Sequence, residues 1–223
     1  MFFLLGALAT LVVPTFSQTQ PTRAELEARW EKIVADYVAQ DALKAPPRDA
    51  YLFVGSSSVT RWRNRLAQDF SGVEVINRGG AGTLGALTRA ADRIIIPYQP
   101  KMVVVYCGDN NIVGRNESPK EVAALFKELV AAIRRGLPHT PIAYISMKPA
   151  LGTWADYGEK VRVGNQLIEE YIRHDSTLRY IDIFNPMLNE QGKPRSELFS
   201  PDKEHLNDDG YALWAMIVKK HLN

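Results

Sequence analysis

Tyr51-Leu52-Phe53-Val54-Gly55-Ser56-Ser57-Ser58 is the stretch on which the fold turns. Four apolar residues end at a glycine, three serines follow, and from 59 to 70 apolar residues recur at helical spacing. A strand this uniformly apolar is buried on both faces, as in parallel sheets covered by helices. Working outward, the same unit repeats. Apolar runs at 73–76, 102–107, 142–147 and 180–184 alternate with helical patterns at 84–95, 119–135 and 159–173, and a last helix spans 208–221. Upstream, Leu26, Trp30, Ile33, Val34 and Tyr37 mark an amphipathic helix over 24–40, and Pro46-Pro47 resets the chain. Pro119 suits the first turn of its helix, with Ser118 as cap. Five strand–helix alternations predict an α/β fold: one three-layer α/β/α domain on a five-stranded parallel sheet, flavodoxin-like. Its ligand site should lie beyond the carboxyl ends of the strands.

Composition sets the limits on function. The 223 residues are 46% hydrophobic and 23% charged, an ordinary globular balance. With 27 Lys and Arg against 25 Asp and Glu, the net charge of +2 points to neither a nucleic-acid nor a membrane-surface partner. Positions 1–13 hold no charged residue, a run too short to span a bilayer, and Pro14-Thr15-Phe16-Ser17 follows with small residues where a signal peptidase reads. This reads as a secretory signal over 1–17, although its start lacks the usual Lys or Arg. The alternatives are an uncleaved anchor or a misplaced start codon. The domain then covers 18–223 and is expected to be exported, periplasmic or secreted, without stable membrane insertion. Cys107 is the only cysteine, so no intrachain disulfide forms, and its apolar run makes it a buried strand residue.

Four segments fall where the ligand site should be. The first strand runs into Gly55-Ser56-Ser57-Ser58, the second into Asn77-Arg78-Gly79-Gly80-Ala81-Gly82-Thr83, and the third into Gly108-Asp109-Asn110-Asn111. Ser200-Pro201-Asp202-Lys203-Glu204-His205-Leu206-Asn207 precedes the terminal helix. Together they hold the parts for acyl transfer. A serine hydroxyl becomes nucleophilic when a base takes its proton, and an imidazole can do so near neutrality. That imidazole needs a carboxylate on its other nitrogen, which Asp202 can supply to His205 from the same short loop. The oxyanion needs donors: main-chain N–H groups at a helix start, where Gly82 lets the backbone come close, or the side-chain amide of Asn110.

These segments resemble the four blocks of the SGNH hydrolases, the GDSL-like lipase/acylhydrolase family. Gly55-Ser56-Ser57 stands where that family has Gly-Asp-Ser, and Asn77 to Thr83 resembles its second block. Gly108-Asp109-Asn110-Asn111 resembles Gly-x-Asn-Asp, and Asp202-Lys203-Glu204-His205 resembles Asp-x-x-His. The resemblance implies a carboxylic ester hydrolase with Ser57 as nucleophile, His205 as base and Asp202 as its partner. Its oxyanion hole would comprise Ser57, Gly82 and Asn110, and it implies no cofactor. Substrates would be small-molecule or carbohydrate esters, since relatives cleave lipid, thio-, aryl and sugar acetyl esters on one scaffold. Two departures remove carboxylates near the nucleophile: Ser56 and Asn111 stand where the family has Asp.

Other readings compete for the same residues. The serines could cap the following helix, with Ser58 best placed. Arg78 and Asp109 could be structural pairs or caps. Trp154 and Tyr157, after the fourth strand, could line a substrate pocket or fold onto the surface. His139, His174 and His221 share no ligand spacing, so no metal site is expected. A non-catalytic flavodoxin-like module holding flavin or an anion at the serine loop is the alternative function, and it would leave Asp202 and His205 without a task. A carbohydrate-binding protein with a degenerate site is a third.

Overall fold

The computed structural model describes residues 22–222, so the segment read as a secretory signal lies outside the described residues. The predicted architecture is present. Strands β1 (Tyr51–Gly55), β2 (Val75–Gly79), β3 (Met102–Tyr106), β4 (Ile142–Ile145) and β5 (Leu178–Ile181) form one parallel sheet in the order β2-β1-β3-β4-β5. Alternation along the strands sends side chains to two cores. Leu52, Val54, Val103 and Val105 pack with α1 (Arg23–Leu43), α3 (Leu84–Ile94), α5 (Pro119–Gly136) and α6 (Trp154–Arg173). Tyr51, Phe53, Val104 and Tyr106 face α2 (Ser57–Asp69) and α7 (Asp208–Lys219), where Trp62 and Trp214 are fully buried. Each such side chain contributes roughly 1.5–3 kcal/mol by leaving water. Cys107 lies in the first core, and burial pushes its thiol well above the usual range, which makes it inert. Among the described residues, no helix is long and apolar enough to cross a membrane.

Several boundaries differ from the sequence reading; those of β2 and β5 have tertiary reasons. β2 begins at Val75 and takes in Asn77, Arg78 and Gly79, expected as loop, because Gly55 of β1 pairs with Gly79 in register. The polar side chains are accommodated there: Asn77 Nδ2 donates to the Val59 carbonyl (2.7 Å), and Arg78 pairs with Asp41. Gly79 admits no side chain, since a Cβ would lie 2.3 Å from the Thr60 nitrogen. β5 is centred earlier than expected, because the N–H groups of Ile183 and Phe184 leave the ladder for Ser146 Oγ, both at 3.0 Å. A short helix not foreseen, α4 (Asp109–Arg115), opens directly after β3.

The strand order places a topological switch between β1 and β3: the chain leaves β1 toward β2 on one side, and β4 follows β3 on the other. At such a switch the carboxyl ends of these strands, where α2, α3 and α4 begin, are the expected place for a ligand.

Candidate active site

β1 ends at Gly55, whose φ of +137° suits glycine and whose added Cβ would lie 1.8 Å from the Tyr106 carbonyl oxygen. The chain then passes to Ser56, whose N–H donates to that same oxygen (2.9 Å). The helix starts at Ser57, two residues earlier than the apolar pattern indicated. Ser58 is accordingly not the cap. It is buried within the first turn, where its carbonyl accepts from Tyr211 Oη (2.9 Å). Ser56 holds the cap position without a side-chain cap bond. Ser57, at the first helical position, is exposed to solvent.

The loop before α7 folds on itself. An antiparallel bridge pairs Phe199 with Leu206, the Ser200 N–H donates to the His205 carbonyl (2.8 Å), and Lys203 adopts a left-handed φ of +59°. Asn207 caps α7 by accepting from the Gly210 N–H (3.0 Å). Inside this loop Asp202 Oδ1 accepts the N–H groups of Glu204 (3.0 Å) and His205 (2.9 Å), while Oδ2 lies 2.8 Å from His205 Nδ1. The other ring nitrogen, Nε2, lies 3.0 Å from Ser57 Oγ. Burial raises the Asp202 carboxyl, but the hydrogen bonds from the His205 and Glu204 N–H groups and from the ring outweigh it. The result lies well below the usual carboxylate range. Arg61 stands 3.9 Å away on the solvent side.

The third wall comes from α3 and α4. Gly108, at φ +128°, turns the chain out of β3 into α4. Asn110 is half-buried, its N–H donates to Asp109 Oδ1 (3.1 Å), and its side-chain amide makes no hydrogen bond among the described residues. Asn111 is buried and committed elsewhere: Oδ1 accepts the Leu84 N–H (3.0 Å), and Nδ2 donates to Glu117 (2.6 Å). It thereby fixes the start of α3 against α4. Gly82 precedes the Thr83 cap of α3 and is exposed, and a Cβ there would meet nothing within 4 Å. The glycine is thus not demanded by protein packing; the space beside it is open. The N–H groups of Ser57 and Gly82 have no partner among the described residues.

The sequence candidates thus separate. Ser57, His205 and Asp202 form one hydrogen-bonded chain, while Gly82 and Asn110 stand at neighbouring helix starts. Trp154 and Tyr157 face other partners: Trp154 packs on Phe184 (6.0 Å between ring centroids), and Lys160 lies 5.4 Å from the Tyr157 ring. Arg78 is held by Asp41 and Tyr98, and Asp109 by a residue the sequence reading passed over. That residue is Lys148, only 2% exposed, with Nζ 2.7 Å from Asp109 Oδ2. Its signal was a lone cation directly after an apolar run.

Solved structures with this fold come from several sources. The chain is 22% identical to a candidate platelet activating factor from Streptococcus pneumonia, with a TM-score of 0.78 over 89% of this chain and 94% of that one. A GDSL-like lipase from Bacteroides thetaiotaomicron is 18% identical, with a TM-score of 0.75 over 88% and 98%. A family 3 carbohydrate esterase from Clostridium thermocellum is 14% identical, with a TM-score of 0.59 over 78% and 94%. At these identities the likeness is one of fold. No curated protein matches the sequence. The profile of the GDSL-like Lipase/Acylhydrolase family matches residues 47–213, from just before β1 into α7, and by that match the chain belongs to this family of ester hydrolases.

Proposed function

We propose that the protein is a serine esterase that hydrolyses acyl or acetyl esters of small molecules or carbohydrates. The observation that carries this reading is the chain of hydrogen bonds from Ser57 Oγ through His205 to Asp202, ending on a solvent-exposed serine. His205 Nε2 takes the hydroxyl proton as Ser57 Oγ bonds to the ester carbonyl carbon. Asp202 holds Nδ1–H and the charge that develops on the ring. The tetrahedral oxyanion is met by the N–H groups of Ser57 and Gly82 and by the Asn110 amide, three donors without a partner among the described residues. Collapse breaks the bond to the alcohol oxygen, which takes the proton back from His205. Water then attacks the acyl-serine with the same base, releasing the acid and restoring Ser57.

A fluorophosphonate probe tests this directly, with mass spectrometry locating the adduct. Label on Ser57 is expected, and label on Ser56 or Ser58 overturns the assignment. Substrate range is read from p-nitrophenyl esters of rising chain length beside acetylated xylan. A flavin- or anion-binding role has no observation in its favour, because His205 engages the Ser57 hydroxyl. Export is proposed from the uncharged apolar run at 1–13. Mature protein outside the cytoplasm beginning near Gln18 is the expected result, and full-length protein retained in the cytosol overturns it.

A further inference from the structure

We propose that Lys148, acting through Asp109, is a positioning residue that sets the oxyanion side of the site against the nucleophile; this rests on the acyl-transfer reading above. The Lys148 ammonium is buried and bonded to groups from separate elements. It donates to Asp109 Oδ2 (2.7 Å) and Tyr106 Oη (3.2 Å), and it lies 3.5 Å from Ser58 Oγ. Tyr106 Oη donates in turn to Asp109 Oδ2 (2.8 Å). The neighbours of these groups matter most. Ser58 follows the nucleophile in the first turn of α2, and Asp109 precedes Asn110 in the first turn of α4. One cation therefore ties the two turns that carry Ser57 and Asn110.

The second carboxylate oxygen completes the link. Asp109 Oδ1 accepts the Asn110 N–H (3.1 Å), so the carboxylate that Lys148 grips also holds the backbone from which the Asn110 amide projects. α4 has only seven residues, and a helix that short has no intrinsic stability to hold its own first turn in place. The loop bearing Lys148 is tied to the opposite wall as well: the Gly152 N–H donates to the Lys203 carbonyl (2.8 Å) in the His205 loop. Lys148 itself is too deeply buried to meet substrate. A well-packed apolar pair could fill such a volume with equal stability, so geometry is the better reason for a charged pair here.

The test compares wild type with Lys148→Met, Asn110→Ala and the double variant. Active sites are titrated with a fluorophosphonate, and kcat and KM for p-nitrophenyl acetate are expressed per titrated site. Lys148→Met is expected to lower kcat by about tenfold to a hundredfold, less than loss of the donor itself, with KM nearly unchanged. In the Asn110→Ala background the same substitution should add little, because its effect passes through Asn110. Unchanged kcat per site in Lys148→Met, or an equal loss in both backgrounds, overturns the proposal. A purely structural lysine would reduce thermal stability and the titratable fraction while leaving kcat per site intact. Should Lys148→Met fail to fold, Lys148→Met with Asp109→Asn leaves no orphan charge and is expected to show the same loss of kcat. Wild-type protein that neither labels nor hydrolyses would overturn the acyl-transfer reading, and this proposal with it. An active wild type with an unaffected variant overturns this proposal alone.

Discussion

Two polar clusters flank the same sheet, and they differ in how completely they satisfy themselves. At the outer edge of β2, Arg78 donates to Tyr98 Oη (2.7 Å), to the Asn77 carbonyl (3.0 Å) and to Asp41, and Tyr98 Oη donates to Asp41. Tyr37 Oη donates to the Gly79 carbonyl (2.7 Å), and the Arg78 guanidinium lies 4.7 Å from its ring centroid. Burial and the Asp41 carboxylate push the Tyr98 hydroxyl up to about 12, so it stays a neutral donor. This cluster is closed. At the other cluster Asp202 and His205 are held as firmly, yet the N–H groups of Ser57 and Gly82 and the side-chain amide of Asn110 have no partner among the described residues. Under the proposed acyl-transfer reading, these free donors beside a held imidazole are where the oxyanion would sit.

The comparison breaks most visibly at Ser57. Ser57→Ala should remove about 10⁴-fold or more of kcat while the unfolding midpoint stays within experimental error, since among the described residues the exposed hydroxyl bonds only to His205. A variant retaining a tenth of the activity would place the chemistry elsewhere. Asn110→Ala comes next: kcat should fall about 10²–10³-fold with the fold intact. Loss through KM alone would remove Asn110 from the oxyanion hole. Its neighbour sharpens the contrast. Asn111→Ala should spare more of kcat but cost roughly 1–3 kcal/mol in denaturant unfolding, because it orphans the buried Leu84 N–H.

Smaller effects belong to the closed cluster and to pH. Asp41→Ala should destabilise by about 1–3 kcal/mol, leaving the half-buried Arg78 without its carboxylate partner, with kcat within about twofold of wild type. A larger fall in kcat per titrated site would show that the two clusters communicate. The smallest effect is acid stability at Asp202. Its carboxyl is held below its ordinary value in the folded protein, so this contribution is complete above about pH 4 and is lost as pH falls through the folded value. Solvent exposure screens it. Asp202→Asn should therefore flatten the acid side of the melting-temperature profile by a few degrees at most, and an unchanged profile would show that the carboxylate is not held as the geometry indicates.

Legibility in the sequence followed the range of the interactions. Unbroken apolar runs yielded the sheet, because burial on both faces leaves one for each strand, and the helical period yielded six of the helices. α4 escaped because Asp109-Asn110-Asn111 carries no apolar stripe; it is held by Lys148 and Glu117, partners distant in the chain or off its own surface. By chain position alone Trp154 and Tyr157 could line a pocket or fold onto the surface, and position does not fix where a ring turns; Trp154 turns to Phe184.

By itself, the sequence determined the parallel α/β layering and which side chains could perform acyl transfer, since both depend on residue type and local spacing. Only the tertiary structure decided that Ser57 and His205, 148 positions apart, meet at 3.0 Å. It also decided that Ser58 turns inward, that Asn111 is spent on holding α3, and that a buried Lys148 joins the two helix starts. Contacts between elements depend on strand order and register, and these are set by how whole faces pack, which no local pattern encodes.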